Sequence, residues 1–382
     1  MRVLLANAHG ADASVGGAER YVADLAGGLC ARGHQVEILS AFPPRVRSGP
    51  EPAHVLHSND WRDDPVRRAR NHAGDLLSLP GRKLARALAA VRPDIVHTNN
   101  LPGISTALWE VARRAGVPTV HTLHDYHLLC PRVTLVRPDG RECRPHPLLC
   151  GLRTRRLGRW SRAVTDVIAV SRHLWRVHER LFPTARLHVV RLPLAPFADR
   201  PLAAPRTPPR TIAYLGALER TKGTAELLRA APALAELGLT VEIAGDGRLR
   251  AAVEAAAGPA LLYNGPVYGE AKLAFFERAD LAVVPSRWAE PGGPHYTVLE
   301  WLAAGRPVLA STRGGLGEAR DRPGVVPVEP EAESIVEAVR RVRDEEAWHD
   351  LLGRISQVED ARDVERWLDE HEAVYRQATG AA

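Results

Sequence analysis

Only four cysteines occur in the 382 residues, with no pairing framework, so a reducing, cytoplasmic setting is expected. No run approaches the ~20 consecutive apolar residues that a membrane span requires. The opening Met1-Arg2-Val3-Leu4-Leu5-Ala6-Asn7-Ala8 turns polar too soon for a signal peptide and reads as a first buried strand. Lysine stands only at positions 83, 222 and 272, and arginine supplies every other basic residue. That bias is a coding habit and needs no function. Low-complexity tracts and nucleic-acid reader motifs are also missing, which sets aside disordered and sequence-reading proteins.

What is present suits a globular α/β protein: 45% hydrophobic and 25% charged residues, with a net charge of +6. The length exceeds one ordinary core, so two domains are expected. The densest basic stretch runs from Arg153 to Arg162 and holds Arg155, Arg156 and Arg159 as well. A solvated helix face accounts for it; so does contact with an anionic acceptor or a membrane surface. Nucleic acid is not an expected partner.

Short apolar, β-branched runs alternate with longer amphipathic ones, the pattern of βαβ units and parallel sheets. Strands are expected at Val3–Ala8, Val36–Ser40, Ile95–Thr98, Thr119–Leu123 and Val167–Val170 in the first half. The second half repeats the rhythm at Thr211–Leu215, Val241–Ala244, Leu261–Tyr263, Leu281–Val284 and Val308–Ala310. Helices are expected over Glu19–Arg32, Ile104–Ala115, Thr224–Leu237, Leu249–Ala257, Ala271–Arg278 and Thr297–Ala304. Between the halves, Leu192–Arg210 carries prolines at 193, 196, 201, 205, 208 and 209, a density that forbids regular structure and marks a linker. The expected organisation is therefore a Rossmann-like domain at 1–191, a linker at 192–210, a second Rossmann-like domain at 211–360 and a C-terminal helix at 361–382. Trp367, Leu368, His371 and Tyr375 recur at helical spacing in that last segment, which is expected to cross back to the first domain. The fold class is α/β, two doubly wound domains facing across a cleft, with ligands beyond the carboxyl ends of the strands.

Three segments carry chemistry. Gly16-Gly17-Ala18-Glu19-Arg20 closes the loop after the first strand; its glycines admit close approach of backbone N–H groups to an anion at a helix start. A tight structural turn explains the same glycines. Gly216-Ala217-Leu218-Glu219-Arg220-Thr221-Lys222-Gly223 sets basic side chains at a strand–helix junction, where a pyrophosphate wants them; two solvated cations are the alternative. The segment from Pro285 to Val308 runs from a strand through a Gly/Pro-rich loop into a helix bearing Glu300, and then through Gly305 to another strand. Carboxylates such as Glu290 and Glu300 suit sugar hydroxyls because each accepts two directed hydrogen bonds.

Together these segments resemble the large family of retaining GT-B glycosyltransferases called family 4. The resemblance runs from Gly16-Gly17-Ala18-Glu19 to Ala303-Ala304-Gly305, most of the chain. It implies a glycosyltransferase whose Gly16 and Gly17 amides and Lys222 meet the donor diphosphate. Thr122-Leu123-His124-Asp125-Tyr126-His127-Leu128-Leu129-Cys130 looks like a form common in the family and places His124 at the reaction centre. Gly245-Asp246-Gly247 is similar to the family's turn after a strand, so Gly245 joins the donor-binding set. Glu290 and Glu300 resemble the paired glutamates, the first facing the donor sugar and the second the ribose. Two departures stand out. Ala217 occupies the position where the family carries Arg, leaving Arg220 as the candidate replacement, and the spacing between Glu290 and Glu300 is two residues longer than usual.

The implied reaction separates an oxocarbenium-like sugar from a diphosphate leaving group, and only groups that gain interaction in that state accelerate it. Lys222, the Gly16 and Gly17 amides and Arg220 are the candidates, each such donor being worth ~3 kcal/mol of barrier. Without an Asp-x-Asp pair, neither a metal nor a cofactor is expected; the nucleotide-sugar is a substrate. The expected acceptor is a lipid-linked sugar, a polysaccharide or a small metabolite. Segment Arg132–Arg162 is the candidate acceptor side. Cys130, Cys143 and Cys150, near His124, His127 and His146 in the chain, match no standard zinc spacing and are expected to be thiols. A sugar-nucleotide epimerase and a non-catalytic binding module remain alternatives. A nicotinamide enzyme expects Gly-x-Gly-x-x-Gly, which the first loop lacks.

Overall fold

The computed structural model describes residues 1–11, 16–43, 52, 54–56, 66, 81–137, 142–143, 147–193, 202–293, 295–355 and 360–381, with backbone alone at 360–362. Met1–Arg137, Arg141–Arg191 and Arg366–Ala382 form one compact unit, and Leu192–Glu365 forms the other.

The first unit is built on a parallel sheet of seven strands in the order β3-β2-β1-β4-β5-β6-β7. These are β1 (Arg2–Asn7), β2 (Gln35–Ser40), β3 (His54–Val55), β4 (Ile95–Thr98), β5 (Thr119–Leu123), β6 (Asp166–Ala169) and β7 (Arg186–Val189). The central strands β4 and β5 are buried along their whole length, as expected when helices cover both faces. The connecting helices are α1 (Gly17–Ala31), α2 (Arg82–Val91), α3 (Ala107–Arg114), α4 (Leu148–Leu157) and α5 (Arg172–His178). Helix α1 turns Tyr21, Val22, Leu25, Ala26 and Leu29 inward, a stripe at helical spacing. At the Tyr21 edge of that stripe Gly28 lies under Leu368, where an added Cβ would come within 2.6 Å of the leucine side chain. A larger residue there would push Leu368 away.

The second unit has a six-stranded parallel sheet in the order β10-β9-β8-β11-β12-β13. Its strands are β8 (Thr211–Leu215), β9 (Thr240–Ala244), β10 (Leu261–Tyr263), β11 (Leu281–Val284), β12 (Val308–Ser311) and β13 (Val325–Val328). The helices are α6 (Thr224–Glu236), α7 (Arg250–Ala256), α8 (Gly269–Arg278), α9 (Tyr296–Ala303), α10 (Ala332–Val342) and α11 (Glu345–Ile355). The core gathers Ile212, Leu227, Leu234, Ile243, Val283 and Ile335 with the fully buried Trp348. The last helix, α12 (Asp360–Thr379), is counted with the second unit through Glu365 and with the first from Arg366.

Edge strands β3, β7 and β13 were not anticipated. Each is short or polar on one side, and β13 carries Pro327, which only an edge tolerates. The helices α2, α5, α10 and α11 were likewise additional, while α4 runs through the first half of the basic stretch for which a helix face is one account. Residues 202–210 carry no regular element, yet they are not a free tether. The Arg206 guanidinium pairs with Asp280 at 2.9 Å, and the Trp348 indole donates to the Arg206 carbonyl at 3.0 Å. Linker prolines 196 and 201 lie outside the described residues.

Cys130, Cys143 and Cys150 are free thiols, and no group of three metal-ligating side chains that could hold an ion occurs among the described residues. His146 lies outside them. No described helix is long and apolar enough to cross a membrane.

Candidate functional site

In each sheet the strand order reverses between two neighbours, β1 and β4 in the first unit, β8 and β11 in the second. Connections leaving such a pair diverge to opposite faces and open a crevice at the carboxyl ends of the strands. Nearly every candidate residue falls at one of these two places.

In the first unit the ends of β1 and β4 are tied together. The Ala8 amide donates to the Asn100 carbonyl at 2.8 Å, and the Asn100 amide to Asn7 Oδ1 at 3.1 Å. Just beyond β4, Asn99 places Oδ1 2.8 Å from His124 Nε2. A carboxamide oxygen only accepts, so the proton resides on Nε2 and Nδ1 is left with its lone pair. The Tyr21 ring meets the His124 ring edge-on at 4.6 Å. Burial first, and the nearby His371 second, bring the His124 pKa down to about 3, so the imidazole is neutral at working pH. Asn99 is 1% exposed, and its Nδ2 has no hydrogen-bond partner among the described residues. Sequence reasoning passed over Asn99; its place directly after β4, at the reversal, was the available signal.

Beside His124, Asp125 accepts from the His127 amide at 2.7 Å. Burial raises its carboxyl to about 6; the His127 amide and Arg153 oppose the rise and Glu19 adds to it. Gly16 is the N-cap of α1 in extended backbone, and Gly17 begins the helix. First-turn amides have no intrahelical acceptor, which leaves them for an anion. Residues 12–15 of this loop lie outside the described residues.

In the second unit, the loop after β8 and the loop after β11 are stitched together. The amides of Arg287 and Trp288 both donate to the Thr221 carbonyl, at 2.9 and 3.0 Å. Gly223 permits this: it has φ of 79°, and a Cβ on it would fall 1.9 Å from the Pro285 carbonyl oxygen. The stitching brings Lys222 to Glu290. Its Nζ lies 2.7 Å from Glu290 Oε1, which also accepts from Ser286 Oγ at 2.7 Å. Glu290 is 2% exposed, and its Oε2 has no hydrogen-bond partner among the described residues. Burial pushes the Glu290 pKa up, but Lys222, His295 and the two hydrogen bonds outweigh it and hold the group below its ordinary value. The carboxylate is ionised, with one oxygen committed and one open.

Glu300, on α9, forms a second pair of the same kind: Lys272 Nζ on α8 lies 2.8 Å from its Oε1. His295 caps α9, its Nδ1 accepting from the Thr297 amide at 3.3 Å. Burial lowers the His295 pKa, Lys222 lowers it further, and Glu290 and Glu300 act against them. His295 thus feels both glutamates and Lys222 at once. Two of the chain's three lysines therefore hold the two candidate glutamates, and Lys272 and His295 are additions to the expected set. Lysine's rarity was the signal for Lys272. The neighbouring Pro294 lies outside the described residues.

Arg220 is exposed, and its side chain has no partner among the described residues, unlike that of Lys222. Gly245 has φ of 138° and packs so closely on the Gly216 carbonyl oxygen that a Cβ would come within 1.9 Å. What this glycine does in the structure is let β9 end against the β8 loop.

Residues 15–194 match the family described as Glycosyltransferase Family 4, and residues 209–345 match Glycosyl transferases group 1. Glycogen synthase of Mycobacterium tuberculosis is 27% identical over 395 aligned positions, covering 91% of this chain and 87% of that enzyme. Among solved structures, sucrose-phosphate synthase from Thermosynechococcus elongatus superposes with a TM-score of 0.69 at 19% identity, over 100% of both chains. Anabaena HepE in complex with UDP and glucose gives a TM-score of 0.65 at 15% identity, over 99% of this chain and 100% of that one. At such identities the two structures speak for a common fold of paired Rossmann-like domains.

Proposed function

This chain belongs to glycosyltransferase family 4, and from that membership we propose a retaining enzyme that moves a sugar from a nucleoside diphosphate to a hydroxyl acceptor without a metal ion. The observation that carries the proposal is the Lys222, Glu290 and Ser286 cluster at the β8–β11 reversal, with Glu290 Oε2 left open. The ammonium of Lys222 suits the diphosphate, on which negative charge grows as the anomeric C–O bond breaks. Arg220, exposed on the same loop, is a second cation for it. The open oxygen of Glu290 suits a sugar hydroxyl, which donates to it and so orients the ring. Glu300, steadied by Lys272, suits the ribose. Lys222 and Arg220 take over the charge neutralisation that a divalent cation supplies elsewhere. On the acceptor side, neutral His124 presents the lone pair of Nδ1, which suits a hydrogen bond from an acceptor hydroxyl. Retention of configuration rests on family membership. The UDP and glucose bound to HepE support a nucleotide-sugar donor.

Thermal unfolding in the presence of UDP, GDP, dTDP or ADP tests the donor class. A nucleotide at a hundred times its dissociation constant adds about 2.7 kcal/mol of stability and raises Tm by several degrees. One of the four is expected to do so and the corresponding sugar conjugate to be consumed only with acceptor present. No shift with any nucleotide sinks the proposal; isomerised donor without acceptor points to an epimerase instead.

A further inference from the structure

Helix α4 (Leu148–Leu157) is unusual in how little of itself it buries. Of its ten residues only Leu157 is buried. Leu148 is 80% exposed, Leu149 77% and Leu152 49%, and no other described helix leaves three large apolar side chains in water. At about 100° per residue these leucines share one face with Arg155 and Arg156 of the last turn. Single exposed leucines are ordinary, but three together mark an interaction surface.

Charge identifies what the surface meets. From Pro147 to Ala163 there are five arginines and no aspartate or glutamate. Arg155, Arg156 and Arg162 are exposed, with no ion-pair partner among the described residues. A second copy of the chain would bring the same cations against themselves. An acidic protein would answer the arginines and leave the leucines without a reason. A layer of anionic head groups over hydrocarbon answers both.

We propose that α4 is the face by which this protein sits on an anionic lipid bilayer, with Leu148, Leu149 and Leu152 entering the acyl boundary and Arg155 and Arg156 on the phosphates. The helix is also braced to the loop that follows β5. Arg153 Nη1 donates to the His127 carbonyl at 2.6 Å, and Thr154 Oγ1 to the Leu129 carbonyl at 3.4 Å. That segment begins at His124. If the transferase reading holds, the docked helix selects an acceptor carried in the bilayer, delivered beside that imidazole; the docking itself does not depend on it.

Co-sedimentation of the full chain with phosphatidylcholine vesicles, with and without phosphatidylglycerol, tests this. Binding is expected to be at least tenfold tighter with phosphatidylglycerol and to weaken as salt is raised. Arg155→Gln with Arg156→Gln should lose about 25-fold, fivefold per arginine. Leu148→Ser, Leu149→Ser and Leu152→Ser together should lose at least tenfold while melting as the parent does, since none is buried. Equal binding to both vesicles, or variants that bind like the parent, overturns the proposal. So does a dimer in sedimentation equilibrium that dissolves in the leucine variant while vesicles fail to bind. No sugar nucleotide enters the assay, so its outcome and that of the donor test are separable.

Discussion

Lys222 Nζ lies 2.7 Å from Glu290 Oε1 and 4.7 Å from the centre of the Trp288 ring, so a single ammonium is held between a buried carboxylate and an indole face. Pair and ring together fix where the positive charge points. A lysine so fixed acts on a developing phosphate charge without first having to be ordered.

Removing the ammonium should therefore cost both catalysis and stability. Lys222→Ala is expected to lower kcat/KM about a hundredfold and to lower the urea midpoint, because it leaves Glu290 buried and unpaired. Adding Glu290→Gln to Lys222→Ala should recover stability and leave activity low. Full activity in Lys222→Ala contradicts the site assignment.

The second pair separates binding from chemistry. Glu300 is proposed for the ribose, and Lys272 only steadies it at 2.8 Å. Glu300→Ala should cut turnover at least tenfold with the protein still folded. Lys272→Ala should raise the donor KM with kcat within about threefold, and the double variant should show a coupling of roughly 0.5–3 kcal/mol. Strictly additive effects on kcat/KM would show that the pair does not act as a unit.

What could be read from the chain follows from how each feature is encoded. Strand β11, Leu-Ala-Val-Val, is a continuous apolar run because both faces are covered, and its limits were legible to within a residue. Edge strand β7 reads Arg-Leu-His-Val, half polar, and resembles a loop until its neighbour β6 is in place. The site divides in the same way. Lys222, Glu290 and Glu300 lie in segments dense with glycine and proline, which announce themselves. Asn99 and His295 matter through what they touch across the fold, and Lys272 reaches Glu300 from another helix. Local sequence does not encode those distances.

Gly223 offers a test of the backbone alone. Its φ of 79° and the 1.9 Å approach of a built Cβ to the Pro285 carbonyl leave no room for a side chain. Gly223→Ala carries roughly 1–2 kcal/mol of left-handed strain and must also push the two loops apart. Stability is expected to fall by more than that strain, and kcat/KM with it, because Lys222 is displaced from Glu290. Gly238→Ala, with φ of 75° and nothing within 4 Å of its added Cβ, is the control: the same strain and unchanged kcat/KM. Equal activity in the two variants would remove the argument that loop contact positions Lys222.

Acid should unfold the first unit through its buried histidines. His97 bonds to Tyr375 and Thr122, each at 2.6 Å, and His371 bonds to Tyr21, which itself reaches Thr122 at 3.2 Å. Burial, and then the neighbouring histidines, hold His97 well below its ordinary range; burial brings His121 to about 3 and His371 to about 4. All three are neutral in the folded chain, whereas in the unfolded chain they protonate near 6.5. As pH falls below that value the unfolded state takes up protons that the folded state refuses, so stability is lost on acidification and the loss runs down to the folded pKa values. At pH 5 the effect is about 2 kcal/mol per histidine. Asp125, raised to about 6, acts in the other direction: its contribution is present at low pH and lost as pH rises through 6, so it offsets part of the loss. Urea unfolding at pH 7.5, 6.5, 5.5 and 5.0 should show a flat stretch above 6.5 and then a fall of several kcal/mol, a large share of the 5–15 kcal/mol that a folded domain has. Stability that holds or rises toward pH 5 would mean that these imidazoles accept protons in place, and that the network joining α12 to α1, β4 and β5 is not neutral there.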